Sequence, residues 1–357
     1  MKATSTRNAT AASGRKNAIS QQELNILFTC AGRRVALVHA FRRALAKLGV
    51  AGKLVAADKT FASSAYHAAD AGEVTPLVGR IEYIPALLDL VVKHRIGLVV
   101  PLTDVDLRSL GRQRQRFSDA GATVMIGDEA DIRLYRDKAQ TNELFGRAGL
   151  GTIKTVPLND FYEEPFYPCF VKPIRGSAGV ATGIIHNENE LRAHVATYGD
   201  LLLVQEFVPG QEFTIDIYRD RQGVVRCVVP RQRLAVRAGE VSKGITVKDQ
   251  DLIDTSVKLA GLLGSIWGVF CAQCRRQEGG RPRFFEVNPR FGGGAPLSIA
   301  AGADLPLYLI QEVLGLPITA RIGDFTDHLL MLRYDDAVFV QVEDRKALPG
   351  YDTPSFQ

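Results

Sequence analysis

The chain has 357 residues, a formal net charge of +5, 46% hydrophobic residues and 23% charged residues. This composition is typical of a globular protein of two or three domains, and it excludes collagen-like, disordered and coiled-coil chains. The small net charge gives no reason to expect nucleic acid or a membrane surface as a partner. It still permits local basic sites for phosphate groups.

The first 23 residues are rich in Ser, Thr and Ala and contain no apolar core, which excludes a secretory signal. We interpret 1–23 as a disordered tail; an organelle transit peptide of similar composition is the alternative. No apolar run approaches the roughly 20 residues that span a bilayer. Five widely spread cysteines favour a reducing compartment, so we expect a cytoplasmic protein without membrane contact.

Strand and helix patterns alternate in the first third of the chain. Apolar runs predict strands at 25–30, 54–58, 96–104 and 123–127. Helical spacing is found between them, at 35–48 and 83–94. This alternation predicts a doubly wound parallel sheet, in which ligands bind beyond the carboxyl ends of the strands.

The pattern changes after Asp128. A helix is expected over 129–148, with Asp128 as its cap and Gly149 as its end. From about residue 201 the chain reads as antiparallel sheet interrupted by single helices. The predicted helices are 249–263, 296–301 and 304–314, and the predicted strands include 169–173, 268–275, 283–287 and a strand-like run at 328–342.

A glycine-rich loop follows the predicted strand 169–173, which ends near Lys172. Gly176, Gly179 and Gly183 let backbone N–H groups approach an anion closely, and the nearby lysine adds positive charge. The spacing does not match that of a P-loop. A phosphate-binding loop and an ordinary structural turn are both open at this point.

A second candidate site lies on the predicted hairpin. Glu286 and Asn288 are two residues apart on a strand and share one face, and Gln273 on the neighbouring strand could join them. Carboxylate and amide oxygens suit Mg²⁺. Arg290, just past the strand, is placed to meet a transferring phosphoryl group. The alternative is that Glu286 only pairs with Arg290 or Arg283.

A third candidate is the strand-break-strand around Pro209–Gly210. Glu206 and Val208 precede the break, and Glu212 follows it on the next strand. Backbone groups at such a break can hydrogen-bond an adenine edge, while a nearby carboxylate can bind ribose hydroxyls. A simple hairpin turn is the alternative.

These motifs occur together in a defined order. The chain carries Arg136-Asp137-Lys138, then FVKP, a glycine loop, QEFVPGQEFT and FFEVNPR. This ordered set resembles the ATP-grasp superfamily, and it is most similar to single-domain relatives of the carbamoyl-phosphate synthetase large subunit, a group with many carboxylate–amine ligases. The resemblance extends from about Asn25 to about Leu316.

The resemblance implies a fold that combines α/β and α+β parts. An N-terminal doubly wound parallel sheet, called a pre-ATP-grasp domain, should occupy 24–128. An ATP-grasp fold of two α+β subdomains should occupy 129–318, with a lid subdomain at about 150–208. Residues 319–357 would form a C-terminal extension.

The resemblance also assigns roles in nucleotide binding. Lys138 and Lys172 correspond to the two nucleotide lysines, and 175–183 corresponds to the mobile loop over the triphosphate. The implied nucleotide-binding residues are Lys138, Lys172, Gly176, Ser177, Ala178, Gly179, Glu206, Phe207, Val208 and Glu212. Among them, residues 206–208 would bind adenine mostly through the backbone, and Glu212 would bind ribose.

The implied metal ligands are Glu286 and Asn288, which would hold one or two Mg²⁺ ions, with Mn²⁺ as a substitute. Gln273 stands where the synthetase family has glutamine and many other members have an acid, which predicts a less tightly held second metal. Arg290 corresponds to the arginine that faces an acyl phosphate. Arg237 and Lys243 lie in a segment similar to a substrate and γ-phosphate lid; a solvated basic edge strand is the alternative.

The expected activity is that of an ATP-dependent ligase. It would activate a small carboxylate as an acyl phosphate and join it to an amine. Two alternatives remain: phosphorylation of bicarbonate or carbamate, as in the synthetase, and a non-catalytic nucleotide-binding module. The expected partners are the small-molecule substrates, ATP and Mg²⁺, with a homodimer as the default assembly.

Overall fold

The structure is a computed structural model that describes residues 23–174, 181–237 and 239–344, together with residue 348. The described chain divides into two units. The first contains the residues up to Ile126, Asp304–Thr319 and those from Asp335 onward; the second contains Gly127–Ala303 and Ala320–Tyr334. No helix in the described ranges has the length and apolar character needed to cross a membrane.

The strands and helices are numbered separately, in chain order. The strands are β1 (Asn25–Thr29), β2 (Leu54–Asp58), β3 (Ala71–Val74), β4 (Ile96–Pro101), β5 (Thr123–Val124), β6 (Thr155–Pro157), β7 (Cys169–Pro173), β8 (Gly183–Ile185), β9 (Leu202–Glu206), β10 (Gln211–Arg219), β11 (Val225–Arg237), β12 (Glu240–Thr246), β13 (Gly268–Arg276), β14 (Arg283–Asn288) and β15 (Leu330–Leu332). The helices are α1 (Val35–Leu48), α2 (Ser64–Ala68), α3 (Tyr83–Lys93), α4 (Leu107–Asp119), α5 (Glu129–Arg136), α6 (Lys138–Arg147), α7 (Leu158–Glu163), α8 (Glu188–Tyr198), α9 (Gln250–Gly261), α10 (Ala295–Ala300) and α11 (Leu305–Val313).

The first unit is built on a parallel sheet with strand order β3-β2-β1-β4-β5. Its central strands β1 and β2 are buried along their whole length, as expected for strands covered on both faces. Helix α1 ends at Gly49, whose φ of 67° is the left-handed conformation that glycine adopts without strain. The predicted doubly wound sheet is confirmed, although the predicted strand at 123–127 is shortened to β5.

The second unit contains two antiparallel sheets. Within the described residues, the smaller has the order β6-β9-β7-β8, and the larger has the order β14-β13-β10-β11-β12-β15. Below they are called the four-stranded and the six-stranded sheet. The predicted pair of α+β subdomains is confirmed, and the strands of the four-stranded sheet lie between residues 155 and 206.

The single helix predicted over 129–148 is two helices. Asp137 has an extended backbone (φ −91°, ψ 105°) and separates α5 from α6. Its carboxylate accepts hydrogen bonds from the backbone N–H groups of Ala139 and Gln140, both at 3.0 Å. The helical periodicity continues across the break, but Asp137 acts as an N-cap. Lys138 therefore occupies the first position of α6.

One feature near the C-terminus differs from expectation. The strand-like run at 328–342 contributes only β15, because pairing with β12 extends over just Lys243–Ile245. Asp304–Thr319 groups with the first unit, and the predicted ATP-grasp boundary at 318 stays a prediction. Helix α11 packs against α1, and its side chains are buried from Leu305 to Gln311. The apolar pattern predicts a buried helix but not the partner it packs on.

Candidate functional site

The acid and the two amides predicted as metal ligands lie on one face of the six-stranded sheet. Gln273 on β13 is directly opposite Glu286 on β14, and Cys271 is opposite Asn288. Because residues two apart on a strand share a face, Gln273, Glu286 and Asn288 project to the same side. Backbone pairing thus brings together residues up to 15 positions apart in the sequence.

Lys172 approaches this face from the four-stranded sheet. Its side chain is buried, with 7% of the residue exposed, and its Nζ lies 5.8 Å from the centre of the Phe285 ring. Burial lowers the pKa of Lys172 to about 8, Glu286 raises it, and Lys138 lowers it further. Both neighbours are therefore close enough to act electrostatically on one buried ammonium group. Two lysines and one acid, separated widely in sequence, converge at this point.

Lys138 is half-buried at the start of α6. The N–H groups of Ala139 and Gln140 donate to the Asp137 carboxylate, so what this end of α6 offers to a ligand is the Lys138 side chain. Together with Lys172 it gives the site two ammonium groups. Such an arrangement suits the phosphates of a nucleotide.

Arg290 follows β14 and is held by short-range contacts. Its Nη2 donates to Oδ1 of Asn288 at 3.2 Å, and its Nη1 donates to the carbonyl of Phe291 at 3.1 Å. Its backbone N–H donates to the carbonyl of Asn288 at 2.7 Å. The guanidinium is thus fixed beside the amide oxygen that was predicted as a metal ligand.

The hinge region contains an ion pair that sequence reasoning missed. Arg283 donates to both carboxylate oxygens of Glu206, at 2.7 and 2.6 Å, and its Nε donates to the carbonyl of Thr152 at 2.7 Å. The hydrogen bonds from Arg283 lower the pKa of Glu206. Since the Glu206 carboxylate is engaged in this way, only the backbone of the hinge is available to an adenine ring.

The rest of the hinge is also ordered by its neighbours. The N–H of Phe207 donates to the carbonyl of Pro168 at 3.4 Å, and Val208 is buried at 4% exposure. Arg275 lies over the Phe207 ring, with its Cζ 5.8 Å from the ring centre. These contacts place an aromatic ring and a buried aliphatic side chain where the predicted adenine hinge lies.

Glu212 lies between two arginines. Arg233 is 2.9 Å from one carboxylate oxygen, and Arg275 is 3.8 Å from the other. Arg275 is the cross-strand neighbour of Glu212, and it lies opposite Arg283 on β14. Each strand taken alone shows only alternating polar residues. The cluster of these charged residues can be recognised only when the register of the four strands is known.

The remaining predicted residues are less enclosed. Lys243 and Arg237 are exposed on β12 and β11, with Lys243 opposite Ala235 and Arg237 opposite Glu240. Gly176, Ser177, Ala178 and Gly179 lie outside the described residues. Arg237 and Lys243 thus lie on different strands of the six-stranded sheet from Gln273, Glu286 and Asn288.

The donor set fits a hard divalent cation. Glu286 provides carboxylate oxygens, and Asn288 and Gln273 provide amide oxygens on the same face, which are ligand types that Mg²⁺ accepts. In the described part of the chain, no group of three or more His, Cys, Asp or Glu side chains could hold a metal. A metal at this face would therefore depend on the two amides as well as on Glu286.

Two family models match separate parts of the chain. Residues 26–125 match a family described as PylC-like, N-terminal domain. Residues 199–333 match a family described as ATP-grasp in the biosynthetic pathway with Ter operon. The first segment covers the parallel sheet, and the second covers the six-stranded sheet with the acid and amides.

Curated relatives align over parts of their length. A D-alanine–D-alanine ligase of Granulibacter bethesdensis is 26% identical over 170 residues, which cover 42% of this chain and 53% of the ligase. A carbamoyl phosphate synthase large chain of Bifidobacterium longum is 25% identical over 297 residues, covering 72% of this chain and 25% of the synthase chain. The chain thus spans about half of the ligase and about a quarter of this synthase chain.

Solved structures share the fold. The biotin carboxylase domain dimer of the 2-oxoglutarate carboxylase of Hydrogenobacter thermophilus, in complex with MgADP, ADP and bicarbonate, has a TM-score of 0.65 and 19% identity, covering 85% of this chain and 73% of that one. The fold therefore agrees with both family matches, the one over the parallel sheet and the one over the six-stranded sheet. Residues 199–333 match an ATP-grasp family, and the relatives by sequence include a D-alanine–D-alanine ligase and a carbamoyl phosphate synthase large chain.

Proposed function

We propose that the chain is an ATP-dependent ligase that activates a small carboxylate as an acyl phosphate and joins it to an amine. The observation that carries this proposal is the convergence of Lys138 and Glu286 on Lys172, with Glu286 on the same face as Asn288 and Gln273. A site for adenosine alone would need neither two phosphate-directed ammonium groups nor an acid flanked by amides. The arrangement is suited to phosphoryl transfer from a metal-bound triphosphate.

The proposed roles follow from position. Lys138 and Lys172 bind the phosphates, the backbone of Glu206–Val208 binds adenine, and Glu212 binds ribose. Arg290 neutralises charge on the acyl phosphate. These groups act by positioning and by electrostatics, so the chemistry requires no nucleophilic side chain.

Magnesium would be held by Glu286, Asn288 and Gln273, with Mn²⁺ as a substitute. When bound, the metal supplies charge neutralisation for the phosphate oxygens. Gly176, Ser177, Ala178 and Gly179 are proposed to close over the triphosphate. Arg237 and Lys243 are proposed to contact the substrate during the reaction.

A nucleotide-release screen tests the proposal. The purified chain is mixed with Mg²⁺-ATP and panels of amino acids and carboxylic acids, with and without amines, and ADP is measured together with the mass of the product. We expect ADP release that requires both a carboxylate and an amine, with an amide as product. Lys172→Met should abolish it, whereas Lys258→Met, on the exposed side of α9, should retain it.

The same screen distinguishes the alternatives. ADP release with bicarbonate, without formation of an amide, would favour the synthetase-like reaction; the carbamoyl phosphate synthase relatives are the reason to include this arm. MgADP binding without any substrate-stimulated ADP release would indicate a non-catalytic nucleotide-binding module. Either result would overturn the ligase proposal.

A further inference from the structure

A glycine segment crosses the site face immediately after Arg290. Gly292 and Gly294 lie on it, between β14 and α10. A Cβ at Gly292 would lie 3.2 Å from Oδ1 of Asp216 and 3.2 Å from the Cys271 sulfur. A Cβ at Gly294 would lie 2.1 Å from Nη1 of Arg231. Only glycine fits at the second position without displacing that guanidinium.

The surface beneath this segment is a buried ion pair. Arg231 donates to both oxygens of Asp216, from Nε at 2.8 Å and from Nη2 at 2.9 Å. Ser298 of α10 donates to the same carboxylate at 2.6 Å. Arg231 is 1% exposed and Asp216 is 0% exposed, so solvent does not reach the pair.

The pair shares a face with the predicted metal ligands. Arg231 is opposite Thr214, Thr214 is opposite Gln273, and Gln273 is opposite Glu286. These four residues form one row across β11, β10, β13 and β14. The row connects a buried guanidinium on β11 to the acid on β14, on the side that carries Asn288.

Stability alone gives a weak reason for a buried ion pair. Removing two charges from water costs about as much as their attraction returns, and apolar residues of similar volume often serve equally well. The pair is also neutral as a whole, so it adds little to the electrostatic potential at the metal ligands. What it supplies is a fixed shape, because the bidentate geometry holds the guanidinium plane in one orientation.

We propose that Arg231, fixed by Asp216, is a positioning residue. It holds the glycine segment in place and thereby fixes the positions of the Asn288 and Arg290 side chains. The link is short: Gly292 is four residues after Asn288, and the Arg290 guanidinium donates to the carbonyl of Phe291, which precedes Gly292. The metal-binding role of Asn288 belongs to the proposed function, and this inference rests on it.

Calorimetric titration of ADP, with and without Mg²⁺, tests the inference on the intact chain. The quantity of interest is the factor by which Mg²⁺ tightens ADP binding. The variants are Gly294→Ala, which adds one methyl group against Arg231, and Arg231→Lys, which keeps the charge but loses the bidentate pair. Gly261→Ala is the control, since a Cβ there meets no atom within 4 Å.

We expect both variants to lower the Mg²⁺ effect by about tenfold, the usual consequence of removing support from a metal ligand. Metal-free ADP affinity should stay near the wild-type value, and the control should match the wild type in both titrations. An unchanged Mg²⁺ effect in folded Gly294→Ala or Arg231→Lys would overturn the positioning role alone. A variant whose ADP affinity falls by the same factor with and without Mg²⁺ would also overturn the positioning role. A wild-type chain that binds no MgADP would overturn the proposed function together with this inference.

Discussion

Lys172 shows how a single residue acquires its properties from its surroundings. In water its ammonium group would stay charged to about pH 10.4. Burial between two sheets lowers its pKa to about 8, with Glu286 opposing the shift and Lys138 adding to it. The folded protein therefore holds an ammonium group that is poorly solvated and available to a phosphate anion.

The pH dependence of Lys172 has two consequences. Between about pH 8 and 10.4 the unfolded chain binds a proton that the folded chain has released, so the free energy of unfolding should rise with pH in this window. ADP affinity should fall over the same window, because the neutral amine attracts phosphate less. Urea titration and calorimetry at several pH values measure both trends.

Lys172→Met should lose both trends, while Lys258→Met should keep them. If Lys172→Met retained the wild-type pH profile for unfolding and for ADP affinity, the assignment of this titration to Lys172 would be wrong.

Gln273 is a second residue whose chemistry can be tested singly. Gln273→Glu would place a second carboxylate directly opposite Glu286. We expect tighter Mn²⁺ binding in the presence of ADP, because cation affinity rises with ligand charge. In metal-free buffer the melting temperature should fall, since like charges opposite each other repel.

Electron paramagnetic resonance of Mn²⁺ and thermal melting measure the two effects. Gln232→Glu on β11 is the control, because Gln232 faces the other side of the sheet. Equal changes in the two variants would remove Gln273 from the metal site.

At the level of elements, the break at Asp137 determines where Lys138 lies. An uninterrupted helix over 129–148 would carry Lys138 in its interior, with its backbone N–H bonded within the helix. The break instead places Lys138 at the first position of α6, while the Asp137 carboxylate accepts from the N–H groups of Ala139 and Gln140. One capping carboxylate therefore converts a mid-helix lysine into a terminal one.

Asp137→Ala should reduce stability by about 1 kcal/mol, the usual cost of losing an N-cap, and should also weaken MgADP binding. The matched control is Asn187→Ala at α8, whose side chain caps its helix by accepting from the Glu190 N–H. We expect a similar loss of stability in the control without loss of nucleotide affinity. Denaturant titration measures the stability of the two variants, and calorimetry measures their MgADP affinity. Equal nucleotide affinities in the two variants would contradict a role for the α6 terminus.

The sequence patterns were sufficient for the elements and insufficient for some of their boundaries. Strands such as β1 and β2 are nearly continuous apolar runs, so their position could be predicted. The helix break at Asp137 could not, since the apolar spacing persists through it and a capping aspartate resembles any exposed acid. The strand-like run at 328–342 was also predicted too long. Strand propensity alone forms no strand where the residues lack a pairing partner.

For the candidate site, spacing alone predicts that Glu286 and Asn288 share a face, because the period of a strand is two. The engagement of Glu206 by Arg283, and of Glu212 by Arg233 and Arg275, depends on cross-strand register. The sequence does not determine that register. The roles proposed for these residues remain predictions that the variants described here can test.

The whole molecule combines two units whose chain segments interleave. Helix α11 follows most of the second unit in the chain, yet it packs on α1 of the first unit. Asp304, its N-cap, also lies 3.4 Å from Lys47 of α1. The first unit therefore includes a helix that is synthesised only after most of the second unit.

Leu309→Ala tests this assignment, because Leu309 is fully buried on α11. We expect a loss of stability of about 2–5 kcal/mol, typical of a large-to-small change in a core. MgADP affinity per folded molecule should stay at the wild-type value, since α11 supplies none of the nucleotide-binding residues. Hydrogen exchange should show faster exchange in β1 and α1 than in β13 and β14. Uniform loosening of β13 and β14 would argue against α11 as part of the first unit.

Lys172 and Glu286 belong to different sheets, and this has a consequence for turnover. In the proposed function Lys172 binds the phosphates directly and Glu286 binds them through Mg²⁺, so a bound nucleotide would link the two sheets. Release of ADP would then require that its contacts with at least one of the two sheets break. The turnover rate would then be limited by how readily the two sheets move apart. Substitutions that weaken the packing between the sheets would speed product release and lower nucleotide affinity.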